Sequence, residues 1–170
     1  MDAHALVLGL RLLHVVGGVF WVGAMTVLAW FLFPAVRAAG PDGGRVMQQV
    51  MDVRRLGMWL GIGGGLTVLS GLGLFARFAS ATHGAWVRTN AGMGYSIGAA
   101  AALLGMGIGL GVGMRSMLRV QRIAAEAAGS PSAAQAAEME RLQARAASAA
   151  KLTSVLLLFA AAVMGTARYW

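Results

Sequence analysis

Apolar residues along this chain fall into four long runs separated by polar stretches. The runs are roughly Leu12–Phe33, Leu56–Phe75, Ala91–Met114 and Leu152–Ala167, each close to the ~20 residues with which a helix crosses a bilayer. The last is short, but Tyr169 and Trp170 follow it, an aromatic pair suited to the headgroup zone. The pattern predicts an all-α fold: one domain over 1–170, an integral membrane bundle of four transmembrane helices.

The polar stretches predict where helices stop. Gly40-Pro41-Asp42-Gly43-Gly44 reads as a tight turn between the first two spans. In Gly129-Ser130-Pro131, the glycine suits the end of one helix, and the serine and proline suit the cap and first turn of the next. The third helix is then expected to run past the membrane from Met114 to Ala128, and the fourth to begin near Pro131. Together they predict an extramembrane helical hairpin over about 115–150, reaching roughly 20–30 Å beyond the bilayer. Arg115, Arg119 and Arg122 would share one of its faces, and Glu138 and Arg141 would pair at i, i+3. The hairpin reads either as a solvated alanine-rich spacer or as a docking surface for a partner.

Composition agrees with a lipid solvent. Apolar residues make up 58% of the chain and charged residues 12%, about half the charge of a typical soluble domain, and the mean hydropathy is +0.70. There is no cysteine, which excludes disulfides and thiolate metal sites. Met1-Asp2-Ala3-His4 lacks the basic start of a cleavable signal, so none is expected.

Charge gives the bundle a direction. Four spans leave both termini on one side. The loops joining spans one to two and three to four hold ten of the 14 basic residues, and the other side holds Arg11, Arg77, Arg88 and Arg168. The positive-inside rule then puts the two basic loops in the cytoplasm and both termini in the periplasm of an inner-membrane protein. The net charge of +8 suits anionic headgroups. No nucleic acid is expected as a partner, because the basic residues flank the spans and no nucleic-acid-binding module is visible.

Glycine marks helix contacts. The second span has Gly57, Gly61 and Gly65, and the third has Gly94, Gly98, Gly105, Gly109 and Gly113. Small residues four apart let two helices approach closely in lipid, so these eight are expected to pack helices. Gly107 and Gly111 lie on another face of the third span, which could thus be approached from two directions.

The first span carries the main candidate for chemistry. His4, Arg11, His14, Gly18, Trp21 and Met25 recur at helical spacing on one face. An ionisable side chain at membrane depth raises a question of function by default, and a neutral imidazole is a good ligand for haem iron or copper. Gly17 and Gly18 are expected to leave room for a flat ring. The readings for His14 are a hydrogen bond to a carbonyl across the bundle, ligation of haem b or a metal, or contact with another subunit or a quinone. In the ligation reading, Arg11, Gly18 and Trp21 line the site and Arg11 meets a haem propionate.

These residues carry a family resemblance. Leu13-His14 followed by Trp21-Val22-Gly23 resembles the first helix of the copper-resistance D (CopD) family and of the HemJ-type protoporphyrinogen oxidases. Arg54-Arg55-Leu56 with Thr67-Val68-Leu69-Ser70-Gly71, Ala85-Trp86-Val87-Arg88, Lys151-Leu152-Thr153 and Met164-Gly165-Thr166-Ala167-Arg168-Tyr169 are similar to their later elements, in order. The resemblance implies four membrane helices and a haem role for His14, with Arg54 or Arg55 as the basic residue of the second helix. The oxidases' lysine in helix three is replaced by Arg88-Thr89-Asn90, and no histidine follows His83. Oxidase catalysis is therefore not expected. Copper handling would draw on His4, His83 and methionines such as Met93. The reading carried forward is a non-catalytic accessory subunit packing against a larger respiratory or photosynthetic membrane complex, or against copies of itself. A haem b-binding HemJ-like oxidoreductase and a copper-handling CopD-like protein are the alternatives.

Overall fold

The computed structural model describes residues 3–127 and 129–170. It is an all-α bundle with no strand among the described residues. Four helices are long and apolar enough to cross a membrane: α1 (Ala3–Ala38), α3 (Leu56–Ala81), α4 (Asn90–Glu126) and α5 (Ala133–Thr166). A shorter helix, α2 (Gly40–Gln48), prolonged by a π-helical turn Gln49–Val53, lies between the first two. The chain thus has the architecture of a multi-pass membrane protein. Large apolar side chains face outward in numbers that water would not tolerate, Val19 at 71% and Leu69 at 70% exposure among them.

The spans form a row rather than a closed square. α1 packs along α3, α4 packs along α5, and α1 meets α5 in the middle. The order is therefore α3–α1–α5–α4. The edge helices α3 and α4 touch little and are joined through Trp86, whose ring lies 5.5 Å from Phe75 and Phe78 and 5.8 Å from Tyr95. At the middle seam Ser154, fully buried, accepts the Trp30 indole N–H at 3.2 Å and bonds the Thr26 hydroxyl at 3.1 Å. Its neighbour Thr153 donates to the Gly105 carbonyl at 3.0 Å. α5 thus fastens to both neighbours at one level by polar bonds that lipid cannot supply. Two π-helical turns, Leu28–Leu32 in α1 and Gly109–Met114 in α4, pack on α5.

Beyond the apolar runs, α4 and α5 continue as a packed helical hairpin. The part of α4 beyond its π turn buries Ser116 and Val120, and the facing stretch of α5 buries Leu142, Ala146 and Ala149. Arg141 donates to Glu138 at 3.0 Å, Arg119 lies 3.6 Å from the same carboxylate, and Arg37 of α1 reaches Glu140 at 2.9 Å. The Arg141 guanidinium, with help from Arg119, holds the Glu138 carboxyl below its ordinary range.

Two expected helix ends move. Gly129 takes a left-handed φ of +92° as a closing glycine should, but the cap of α5 is Ser132, two residues past Ser130. Ser132 accepts the Gln135 N–H at 3.3 Å while Gln135 accepts the Ser132 N–H at 2.9 Å. This reciprocal capping box satisfies two end donors and decides the start of the helix. The expected end of the third helix at Ala128 lies outside the described residues, as do Met1 and Asp2. The stretch Gly40–Gly44 is not simply a turn. The chain reverses at Ala39 and Gly40, whose φ is +59°, and the residues that follow open α2. A proline in the first turn needs no N–H there, and Asp42 suits the positive helix end.

Candidate functional site

The α1–α3 seam holds Arg11, His14, Gly18 and Trp21 of the residues singled out on the first span, while His4 is exposed and no contact among the described residues places Met25 in it. The two helices run antiparallel, and glycines on both sides bring their backbones together. A Cβ added to Gly17 would lie 2.7 Å from Thr67 Oγ1 and 3.3 Å from the Gly63 carbonyl. Phe20 lies across Gly63, and the buried indole of Trp21 covers Gly64. Gly18 faces the Thr67 methyl. The room expected beside Gly17 and Gly18 for a flat ring is therefore taken by α3, and a macrocycle does not fit between these helices.

His14 sits one turn further along the seam, half-buried. Its Nδ1–H donates to the Thr67 carbonyl at 2.8 Å. That carbonyl also accepts from Ser70 Oγ at 3.2 Å. The Nδ1–Cε1 edge of the imidazole lies against Gly71, where a Cβ would come within 2.7 Å of Cε1 and 2.8 Å of Nδ1. Of the three readings of His14, the hydrogen bond to a carbonyl across the bundle is thus observed. It also fixes the ring: with Nδ1 donating, Nε2 carries the lone pair of the neutral imidazole. Nε2 makes no hydrogen bond among the described residues and is not sealed from the surface.

Arg11 stands one turn beyond His14, with its guanidinium 5.7 Å from the Phe78 ring centre, a cation–π contact. Through Phe78 it joins the Trp86 cluster. The seam brings Arg11, His14, Gly18 and Trp21 to one side of α1, but α3 rather than a cavity faces them. His4 and His83 are exposed, and His83 takes a left-handed φ of +48° beside Gly84. Among the described residues no three His, Cys, Asp or Glu side chains gather as a metal site.

The glycines divide unevenly. On α4, Gly94 faces Ala167 and Trp170, Gly98 faces Met164 and the Ala160 carbonyl, Gly105 and Gly109 face Thr153, and Gly113 faces Ala149. All five meet α5 or the residues that end it. On α3 the close contacts are made by Gly63, Gly64 and Gly71, whereas a Cβ added to Gly57, Gly61 or Gly65 would meet no atom within 4 Å. The internal role expected of those three passes to their neighbours, because α1 lies on the adjacent side of the helix. Gly107 and Gly111 of α4 are equally open.

Sequence reasoning did not single out Thr67 or Gly71 as the partners of His14, nor Thr26, Trp30 and Ser154 as the polar link of α1 to α5. The first partner is a backbone carbonyl, which has no signature in the residue type. The Thr26–Trp30 spacing of four was a usable signal, since it puts a hydroxyl and an indole N–H on one face. Comparison of the chain with protein-family models, with curated proteins and with solved structures gives no match in any of the three.

Proposed function

We propose that this protein is an accessory subunit that packs against a larger respiratory or photosynthetic membrane complex. The observation that carries the reading is the open glycine face at each edge of the row: Gly57, Gly61 and Gly65 on α3, and Gly107 and Gly111 on α4. Glycine weakens a helix, and in lipid its use is close approach to another helix. The edge helices offer that approach where nothing among the described residues takes it. The CopD and HemJ resemblance fits a retained membrane scaffold, and the basic loops fit an inner-membrane orientation with both termini periplasmic.

The test is purification in mild detergent with the mass and subunit content measured. Co-purification with large membrane subunits, lost in Gly61→Leu while the chain stays folded, is the expected outcome. A monodisperse monomer, unchanged by that substitution, would overturn the reading.

A second reading keeps His14 as a ligand of haem b. What favours it is the Nδ1–H bond to the Thr67 carbonyl, the outer-shell arrangement that commonly orients a ligating histidine, which leaves Nε2 to bind. The ring would lie against the outside of the α1–α3 pair. A Soret band that disappears in His14→Ala supports this reading, and a colourless preparation from haem-replete cells refutes it.

A further inference from the structure

A long apolar groove runs along the outside of the α1–α3 pair, with a volume of about 680 Å³. Val16 and Phe20 form one wall and Trp59, Ile62 and Leu66 the other, over a floor made by Gly17 and Gly63. The glycines that bring the backbones together also make the floor. From Leu56 to Leu66 the groove follows ten residues of α3, about 15 Å of helix, half of a ~30 Å hydrocarbon core. Leu12 and Leu13 of α1 carry the lining further, to the level of His14 and Gly71, so the groove runs from one membrane surface past the midplane, the length of an extended acyl chain.

The end of the groove is charged. Leu56 lines it there, and the two residues before Leu56 are Arg54 and Arg55, both exposed. Neither makes an ion pair among the described residues, although Asp52 is close in sequence. α3 begins at this point with no side chain capping its first N–H groups, so its positive end adds to the two guanidinium charges. An apolar slot of acyl-chain length that ends beside two arginines with no ion pair among the described residues complements one kind of molecule. We propose that the groove holds an acyl chain of an anionic phospholipid, with its headgroup phosphate on Arg54 and Arg55. Arginine suits that contact because its planar fork meets two phosphate oxygens at once.

Trp59 lines the groove and reports on its contents. The full chain is reconstituted in nanodiscs containing phosphatidylglycerol or phosphatidylcholine with brominated acyl chains, which quench nearby indoles. The difference in emission between the native chain and Trp59→Phe isolates the one tryptophan. The expected result is quenching by phosphatidylglycerol at much lower mole fraction than by phosphatidylcholine. In Arg54→Gln/Arg55→Gln the preference should fall by roughly thirty-fold, the combined effect of two surface charges. Arg119→Gln/Arg122→Gln, which removes two arginines from the hairpin, should leave it intact. Equal quenching by the two lipids in the native chain would overturn the proposal. So would a preference that survives loss of Arg54 and Arg55, or one that disappears with Arg119 and Arg122. Circular dichroism of each variant confirms that the helices persist, and native mass spectrometry of bound lipid gives a second reading of the same preference.

Discussion

Replacing Gly71 with alanine tests the His14 seam with a single methyl group. The added Cβ would lie 2.7 Å from Cε1 and 2.8 Å from Nδ1 of His14, well inside van der Waals contact. The obstacle is a rigid ring held by its own hydrogen bond to the Thr67 carbonyl, so the ring must move and the bond must break. Overpacking of this kind costs about 1–3 kcal/mol, and an interhelical hydrogen bond in a membrane averages about 0.6 kcal/mol. The better helix propensity of alanine offsets up to ~1 kcal/mol. The net expectation is a loss of about 1–2 kcal/mol. In a His14→Ala background the clash vanishes, and Gly71→Ala should be neutral or stabilising. The coupling between the two sites is then about 2 kcal/mol, measurable as a double-mutant cycle by unfolding in mixed sodium dodecyl sulfate micelles with near-ultraviolet circular dichroism as the readout. If Gly71→Ala costs the same with and without His14, the ring does not lie on Gly71 and the geometry of the site is refuted.

Other consequences are equally direct. Thr153→Val keeps the shape of a buried residue but removes its bond to the Gly105 carbonyl. The same unfolding assay should show a loss of about 0.6–1.7 kcal/mol, and no change would place Gly105 outside the α4–α5 fastening. Glu138 has a carboxyl held below its ordinary value of 4.5 by Arg141 first and Arg119 second. Its folded value is the lower one, so its contribution to the hairpin is complete above about pH 4.5 and is lost as the pH falls through the folded value. Amide protection factors in residues 133–145, taken relative to the intrinsic exchange rate at each pH, should fall on acidification in that window and hold steady in Glu138→Gln.

The spans were legible because a run of about 20 apolar residues matches the thickness of a bilayer and little else in a protein. The five glycines of α4 were legible as well, since one helix lies along one stripe. The glycines of α3 were not, and the reason is geometric. Periodicity tells which residues share a face and picks out the regular stripe Gly57, Gly61 and Gly65, whereas α1 actually uses the irregularly spaced Gly63, Gly64 and Gly71. Choosing between them needs the position of the neighbour. The start of α5 shows a signal that was present and outweighed. Ser130 and Ser132 both have the side chain of a cap, and only Ser132 has Gln135 three residues on to return the bond. Arg11, His14, Gly18 and Trp21 were correctly grouped on one face, whereas what faces them, a backbone carbonyl and a bare glycine, leaves no mark in a hydropathy pattern.

The row order also bears on how the chain assembles in a membrane. Each extensive contact joins consecutive spans, α1 with α3 and α4 with α5. Each pair therefore has its partner as soon as its second helix has entered the bilayer, and neither pair waits for the other to hide its glycine seam. What remains is a single docking event between two finished halves. Its polar specificity comes from Thr26 and Trp30 meeting Ser154, with the Trp86 cluster closing the connection. Such contacts permit assembly hairpin by hairpin, because the first half, ending at Ala81, already contains both partners of its own seam.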